Sequence, residues 1–175
     1  MALVTDPGGS GSDSYASLAE ADVYFYTRLF TSDWTDAETA DKEKSLKWAT
    51  RLLDERVRWN GSIASNAQAL RWPRTGVVDQ DGRTVSHTSI PDFLINATSE
   101  FAIRLLETDL SADREGMGLD RVMVDKMRIY YDKADRPGVI PEYVRDMIRH
   151  YGKPLDDRAA MMQLERGRKQ RDVRV

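Results

Sequence analysis

The chain contains no cysteine and only two histidines among its 175 residues. The absence of cysteine excludes disulfide bonds, thiolate metal ligands and a cysteine nucleophile, and it leaves the redox compartment open. His87 and His150 have no partners at metal-ligand spacing, and neither glycine-rich phosphate-loop pattern, GxGxxG or GxxxxGK[ST], is present. No nucleophile, base and oxyanion donor can be recognised from their spacing. We therefore expect a protein that is not an enzyme and that binds no cofactor or metal.

Long apolar runs are also missing, and the first residues, MALVTDPGGSGSDS, lack the basic and apolar regions of a signal peptide. The formal charge of -3 and the pI near 5.5 argue against a constitutively basic nucleic-acid binder. A length of 175 residues with 41% hydrophobic content fits one compact domain. We expect a soluble, single-domain protein that is made in the cytoplasm and does not contact a membrane.

Helical periodicity predicts a mainly α fold, a small bundle of about four helices. A capping box at Ser17–Glu20 begins the first helix, which runs to about Leu29, and a second capping box at Thr35–Glu38 begins a longer helix. That longer helix should end near Trp59-Asn60-Gly61. The predicted buried stripes are Leu18, Ala21, Phe25 and Leu29 in the first helix, and Leu46, Ala49, Leu53 and Val57 in the second.

Two more helices begin at prolines. Pro91 opens PDFLINATSEFAIRLLETDL, whose apolar residues cover more than one face, so we expect this helix to be central. Pro141 opens the last, shorter helix, PEYVRDMIRHY. Alternating residues between 120 and 132 predict one or two short strands.

The remaining segments divide the chain. Glycine, serine and proline predict a flexible N-terminal arm at residues 1–14, before a helical domain at 15–152. That domain contains a long loop at 62–90, and loops of such length usually carry function or local structure. Residues 153–175 are predicted to form an extended basic tail. Within the loop, Asp79, Asp81 and Gly82 predict a hairpin turn rather than a calcium loop, because position 90, where a closing glutamate would stand, is Ile90.

The loop also contains Trp72-Pro73-Arg74, which allows two interpretations. Trp72 with Arg71 and Arg74 could stack on unpaired bases and pair with phosphate, forming a single-strand contact. Alternatively, Trp72 packs the loop onto the helical core, Pro73 stiffens the segment, and the arginines bridge to carboxylates of this or a neighbouring subunit. The tail has similar alternatives, since its cations could contact phosphate or an acidic protein surface. These cations are Arg166, Arg168, Lys169, Arg171 and Arg174.

Several segments taken together resemble a known family. They are SYASLAEADVYF, LLDERVRWNG, QALRWPRTGVVDQDG, IPDFLINATSEFAIRLL, DKMRIYYD and VIPEYVRDMIRHYG. In this order they resemble small tailed-bacteriophage proteins that are often described as DnaT-like single-stranded DNA-binding proteins and that look like head-tail connector adaptors. The resemblance extends from about Asp13 to Gly152.

The resemblance implies a structural virion protein located in the neck between head and tail. Connector adaptors are mostly helical and form a ring, usually twelvefold, beneath the portal. The implied partners are the portal protein, neighbouring copies, the next neck or tail-completion protein, and double-stranded DNA that passes through without sequence-specific binding. The alternative function is single-stranded DNA binding. As a connector, the chain would use Trp72-Pro73-Arg74 to anchor the loop, the Asp79–Gly82 turn to contact a neighbouring subunit, and the tail to dock on the portal or an adjacent subunit.

Overall fold

The computed structural model describes residues 3–112, 121–124, 127–130 and 138–155. Five helices within these ranges form most of the regular secondary structure, which confirms the predicted mainly α class. They are α1 (Leu18–Tyr26), α2 (Ser32–Thr35), α3 (Thr39–Arg56), α4 (Asp92–Glu107) and α5 (Glu142–Ile148). No helix in the described part of the chain is both long enough and apolar enough to cross a membrane.

Short antiparallel strand pairs connect distant parts of the chain. The strands are β1 (Val57–Trp59), β2 (Ser62–Ile63), β3 (Arg74–Thr75), β4 (Arg121–Val124), β5 (Met127–Tyr130) and β6 (Gly152–Pro154). β1 pairs with β6, β2 with β3, and β4 with β5. The β4–β5 hairpin confirms the short strands predicted between residues 120 and 132. The predicted tail begins inside β6, and residues 156–175 lie outside the described residues.

The core lies between α3 and α4. Leu46 and Leu53 of α3 and Leu94 and Phe101 of α4 are fully buried. Burying each of these side chains stabilises the fold by about 1.5–3 kcal/mol. α4 also buries the polar residues Thr98, Ser99 and Glu100, and it is therefore the central helix that its apolar pattern predicts.

The first helix begins as predicted but ends early. Ser17 Oγ accepts a hydrogen bond from the Glu20 N–H at 3.2 Å, and Glu20 Oε2 accepts one from the Ser17 N–H at 2.8 Å. The helix ends at Tyr26, and Leu29, predicted to be buried, is 78% exposed. That prediction is wrong because the chain turns at residues 27–31 into α2, whose Trp34 packs against Phe25 with ring centroids 4.8 Å apart. Trp34 is buried in place of Leu29.

Both predicted ends of the long helix are also displaced. α3 begins at Thr39 with Glu38 as its N-cap, so the capping box predicted at Thr35–Glu38 is wrong. Thr35 instead ends α2, where its hydroxyl donates to the Thr31 carbonyl at 2.9 Å. At the other end the helix stops at Arg56, because the following residues form β1 and pair with β6.

Residues 3–14 of the predicted N-terminal arm (1–14) form hydrogen bonds with one another and with the long loop, and the flexibility of the arm stays a prediction. The Val4 N–H donates to Asp13 Oδ1 at 2.9 Å, and the Asp13 N–H donates to the Val4 carbonyl at 2.9 Å. The Ala69 N–H donates to the Gly9 carbonyl at 3.1 Å. Through the Gly9–Ala69 hydrogen bond this segment contacts the long loop, and Tyr15, which follows it, is buried.

Candidate functional site

The structure places Trp72 inside the protein. Its side chain is 1% exposed, and its ring meets Trp59 and Phe93 edge-on at centroid distances of 5.7 and 5.5 Å. Pro73, which follows a cis peptide bond, is buried as well. An indole enclosed in this way cannot stack on a base without opening the fold. Of the two interpretations of this segment, the geometry therefore fits the one in which Trp72 packs the loop onto the core.

Arg74 is also engaged within the chain. It is 8% exposed, and its guanidinium donates to the carbonyls of Asn60 at 2.6 Å, Gly61 at 2.7 Å and Arg71 at 3.0 Å. Burial lowers the pKa of this guanidinium. Arg74 thus binds backbone carbonyls rather than the carboxylates predicted for it, and it fixes the β1–β2 turn to the loop.

Asp79, Asp81 and Gly82 form the predicted hairpin turn. Asp79 Oδ1 accepts from the N–H groups of Asp81 at 2.9 Å and Arg83 at 2.8 Å. Gly82 has φ +80, which favours glycine, and its N–H donates to the Asp79 carbonyl at 3.1 Å. Asp81 and Gly82 are exposed, and their predicted contact with a neighbouring subunit stays a prediction. In the part of the chain that the structure describes, no three His, Cys, Asp or Glu residues are grouped to hold a metal ion.

The cations of the predicted tail, at 166, 168, 169, 171 and 174, lie outside the described residues. Their predicted docking role therefore stays a prediction.

A groove on the outer face of α3 brings Arg71 together with residues that the sequence patterns do not single out. It has a volume of about 600 Å³ and opens to solvent between α3, the N-terminal segment and the loop. It is lined by Asp13, Lys44, Lys47, Trp48, Thr50, Arg51, Asp54, Glu55, Ala69, Leu70 and Arg71. We call this feature the Trp48 groove.

Trp48 and Arg51 form a planar pair in this groove. They are three residues apart on α3 and therefore lie on the same side of the helix. The guanidinium carbon of Arg51 is 5.3 Å from the centroid of the Trp48 ring, within cation–π range. Trp48 is half-buried and Arg51 is exposed. The pair thus presents an aromatic surface and a positive charge to solvent at the same point.

Asp54 of α3 joins the helix to the loop at the edge of the groove. Its Oδ2 accepts a hydrogen bond from the Arg71 N–H at 3.1 Å, and its Oδ1 accepts one from the Tyr15 hydroxyl. Burial raises the pKa of the Asp54 carboxyl, against the opposing effect of these two hydrogen bonds. Burial and the Asp54 charge also raise the pKa of Tyr15. Asp54 thereby fixes the backbone of Arg71, whose exposed side chain lines the same groove as Trp48.

The charge of the groove is mixed. Its cations are Lys44, Lys47, Arg51 and Arg71, and its anions are Asp13, Asp54 and Glu55. Lys47 Nζ is 2.5 Å from Asp13 Oδ2, and Lys44 Nζ is 2.8 Å from Asp41 Oδ1. These contacts partly neutralise the cations, so the groove attracts anions moderately rather than strongly.

The fold and this groove define a small, mainly helical protein with an aromatic groove of mixed charge. A family model described as "Putative DnaT-like ssDNA binding protein" matches residues 1–167, and the chain belongs to this family. A search of curated proteins and a search of solved structures each found no match.

Proposed function

We propose that the protein binds single-stranded DNA in the Trp48 groove. The observation that carries this proposal is the pair of half-buried Trp48 and exposed Arg51 on α3, which lines an open groove together with Arg71. The description of the family supports the same class of ligand. Aromatic rings and arginine planes are the surfaces on which single strands stack their bases.

In this proposal, some residues of the groove contact the bases and others contact the phosphates. An unpaired base stacks on the Trp48 indole or on the Arg51 guanidinium, which contributes about 1–3 kcal/mol per base. Lys44 and Arg71 lie along the same groove and attract the phosphates on either side. The bases of a duplex are already stacked and paired, so a duplex offers Trp48 no free base face. The groove should therefore prefer single strands.

Titration of fluorescently labelled oligo(dT) with the full chain tests this function. Trp48→Ala should weaken binding by about 5- to 150-fold, the equivalent of one lost stacking contact. Tyr26→Ala is the matched control, because Tyr26 is an aromatic residue that is 91% exposed and does not line the groove. Equal affinities for the two variants, or equal affinity of the wild-type protein for duplex and single strand, would refute the proposal.

We propose the head-tail connector adaptor as the second candidate function. It is supported by the sequence resemblance and by exposed apolar side chains near the α1–α2 turn, which suit a protein partner. These side chains are Val23, Tyr26, Leu29 and Phe30. Under this candidate the chain forms a ring beneath the portal in the neck of the virion, contacts the next neck or tail-completion protein, and passes double-stranded DNA. The family description supports the first candidate more directly.

Mixing the purified chain with the portal protein of the same genome, followed by electron microscopy, tests the second candidate. A ring stacked under the portal is the expected product. Its absence, together with salt-sensitive binding of oligonucleotides, would favour single-strand binding alone.

A further inference from the structure

Glu55 is the one carboxylate of the Trp48 groove that has no partner within the described part of the chain. Asp13 is paired with Lys47, and Asp54 accepts hydrogen bonds from the backbone of the loop and from a tyrosine hydroxyl. Glu55 is exposed, and no hydrogen bond or ion pair of the described residues engages it. A free carboxylate repels phosphates, so contact with a DNA backbone does not explain its place in the groove.

Glu55 lies on the same side of α3 as the Trp48–Arg51 pair. Arg51 precedes Glu55 by four residues, a spacing that allows an arginine and a glutamate to form an ion pair on a helix. The Arg51 guanidinium instead lies over the Trp48 ring, with its carbon 5.3 Å from the ring centroid. This arrangement leaves the Glu55 carboxylate available as a hydrogen-bond acceptor one helical turn further along the groove.

The spacing between Arg51 and Glu55 suits a nucleic-acid base. Four residues of an α-helix rise by about 6 Å. A base that is stacked on the exposed Arg51 guanidinium extends its edge by half of its width, and an N–H···O hydrogen bond adds about 2.9 Å. The edge of such a base can therefore reach the Glu55 carboxylate while its face stays on the guanidinium.

The chemistry of a carboxylate distinguishes the four bases. An ionised carboxylate has two oxygens that accept hydrogen bonds, and it has no donor. The Watson–Crick edge of guanine carries two N–H donors side by side, on N1 and N2, which can pair with both oxygens at once. Adenine and cytosine place a single amino group next to a ring nitrogen that is an acceptor, and the N3–H of thymine lies between two carbonyl oxygens. Because these acceptors repel a carboxylate, guanine is the base that fits Glu55.

We propose that Glu55 makes the Trp48 groove selective for guanine in single-stranded DNA. The guanine stacks on the Arg51–Trp48 pair and donates its N1–H and one N2–H to the Glu55 carboxylate. In a duplex this edge of guanine is paired with cytosine, so only an unpaired guanine can make the contact. This selectivity rests on the proposed binding of single strands in the groove, and it specifies the base that the groove prefers.

Competition titrations with three oligonucleotides of equal length test the selectivity. The first is oligo(dT), the second carries single guanines separated by thymines, and the third carries hypoxanthine, which lacks the N2 amino group, in place of each guanine. Lithium chloride as the salt disfavours guanine quadruplexes. The wild type should bind the guanine oligonucleotide about 5- to 150-fold more tightly than oligo(dT), the usual discrimination of a bidentate contact. Hypoxanthine should lose most of this advantage.

Glu55→Ala tests whether this residue is responsible. The variant should bind the three oligonucleotides with similar affinities. Its affinity for oligo(dT) should be no lower than that of the wild type, because a charge that repels phosphate is removed. Glu142→Ala is the matched control, since Glu142 is an exposed glutamate of α5 that does not line the groove, and it should keep the preference for guanine. Circular dichroism verifies that both variants are folded.

The possible failures can be told apart. Equal affinity of the wild type for all three oligonucleotides, equal affinity for guanine and hypoxanthine, or a preference for guanine that survives in Glu55→Ala would each refute the selectivity while single-strand binding stands. A wild type that binds none of the three would refute single-strand binding itself, and the selectivity with it.

Discussion

At the scale of single residues, two tryptophans take opposite roles because the fold exposes them differently. Trp72 is 1% exposed between Trp59 and Phe93 and stabilises the attachment of the loop. Trp48 lies half-buried on the outer face of α3, with a guanidinium over its ring. We expect Trp72 to contribute to stability and Trp48 to ligand binding.

Trp72→Ala should lower the free energy of unfolding by about 3–5 kcal/mol, the usual cost of removing a fully buried large aromatic side chain. Trp48→Ala should cost clearly less, since its ring is partly solvated in the folded state. Denaturant unfolding monitored by circular dichroism measures both. A Trp72 variant as stable as the wild type would show that the loop is not anchored by this ring.

Asp54 should give the stability a specific pH dependence. Burial raises the pKa of its carboxyl above the ordinary 3.8, so the folded protein favours the protonated form. The stability associated with this group is therefore fully present below pH 3.8 and is lost as the pH rises through the raised pKa. The free energy of unfolding of the wild type, minus that of Asp54→Asn, should fall over this window. A difference that rises with pH would contradict the assigned direction.

At the scale of elements, two arginines fix the long loop in different ways, Arg74 to the β1–β2 turn and Arg71 to Asp54 of α3. Arg74 is buried and donates to three carbonyls, whereas Arg71 is exposed on the wall of the groove and is fixed through its backbone N–H. The two residues carry the same charge and lie three positions apart. Alanine substitutions at the two positions can therefore be compared to distinguish an effect on protein stability from an effect on DNA binding.

Arg74→Ala should lower the free energy of unfolding by about 1.5–3 kcal/mol, since the hydrogen bonds of a buried charged group to three carbonyls are lost. Arg71→Ala should change stability by less than about 0.5 kcal/mol, as expected for an exposed side chain. It should nevertheless weaken oligonucleotide binding. Thermal unfolding and oligo(dT) titration of both variants give the comparison, and equal effects of the two on stability would contradict it.

The sequence predicts the type of an element where the spacing of nearby residues decides it. It does not predict where a helix ends when a distant part of the chain decides that end. The α3 stripe of Leu46, Ala49 and Leu53 is buried as its spacing predicts. The end of α3 depends on pairing of Val57 with Pro154, which lies far along the chain. The early end of α1 likewise follows from Trp34 packing on Phe25. No local pattern contains this information.

The candidate site likewise contains one feature that local sequence predicts and one that depends on distant residues. Trp48 and Arg51 stand three apart in a predicted helix and outside its buried stripe, so their pairing could have been found in the sequence. Arg71 lines the same groove because its backbone N–H and the Tyr15 hydroxyl both donate hydrogen bonds to Asp54, a contact that no local pattern predicts. The unusual Trp72-Pro73-Arg74 segment suggested Trp72 as the candidate binding residue instead. The sequence of this segment does not show that Trp72 is buried.

At the scale of the whole molecule, the net charge of -3 limits how strongly the chain can hold DNA. Under the proposed function, binding comes from the local field of the Trp48 groove, which is lined by four cations and three carboxylates. We therefore expect a moderate affinity, with a smaller dependence on salt than that of a strongly basic binder.

If three or four cations contact phosphates, the logarithm of the binding constant should fall with the logarithm of salt concentration with a slope of about -2 to -3. Affinity for oligo(dT) should then decrease by about 20- to 50-fold between 50 and 200 mM salt. Titrations at several salt concentrations measure the slope. A slope near zero would mean that phosphates do not enter the groove.

The most direct test of the central claim is photo-crosslinking of the full chain to a bromodeoxyuridine oligonucleotide, followed by trypsin digestion and mass spectrometry. Trypsin cleaves after Lys47 and Arg51, which releases Trp48–Arg51 as its own peptide. We predict that the nucleotide is attached to this peptide, with little attachment to the peptides containing Trp59 or Trp72. Crosslinking at Trp72, or no crosslinking at Trp48 under conditions where the oligonucleotide binds, would contradict single-strand binding in the Trp48 groove.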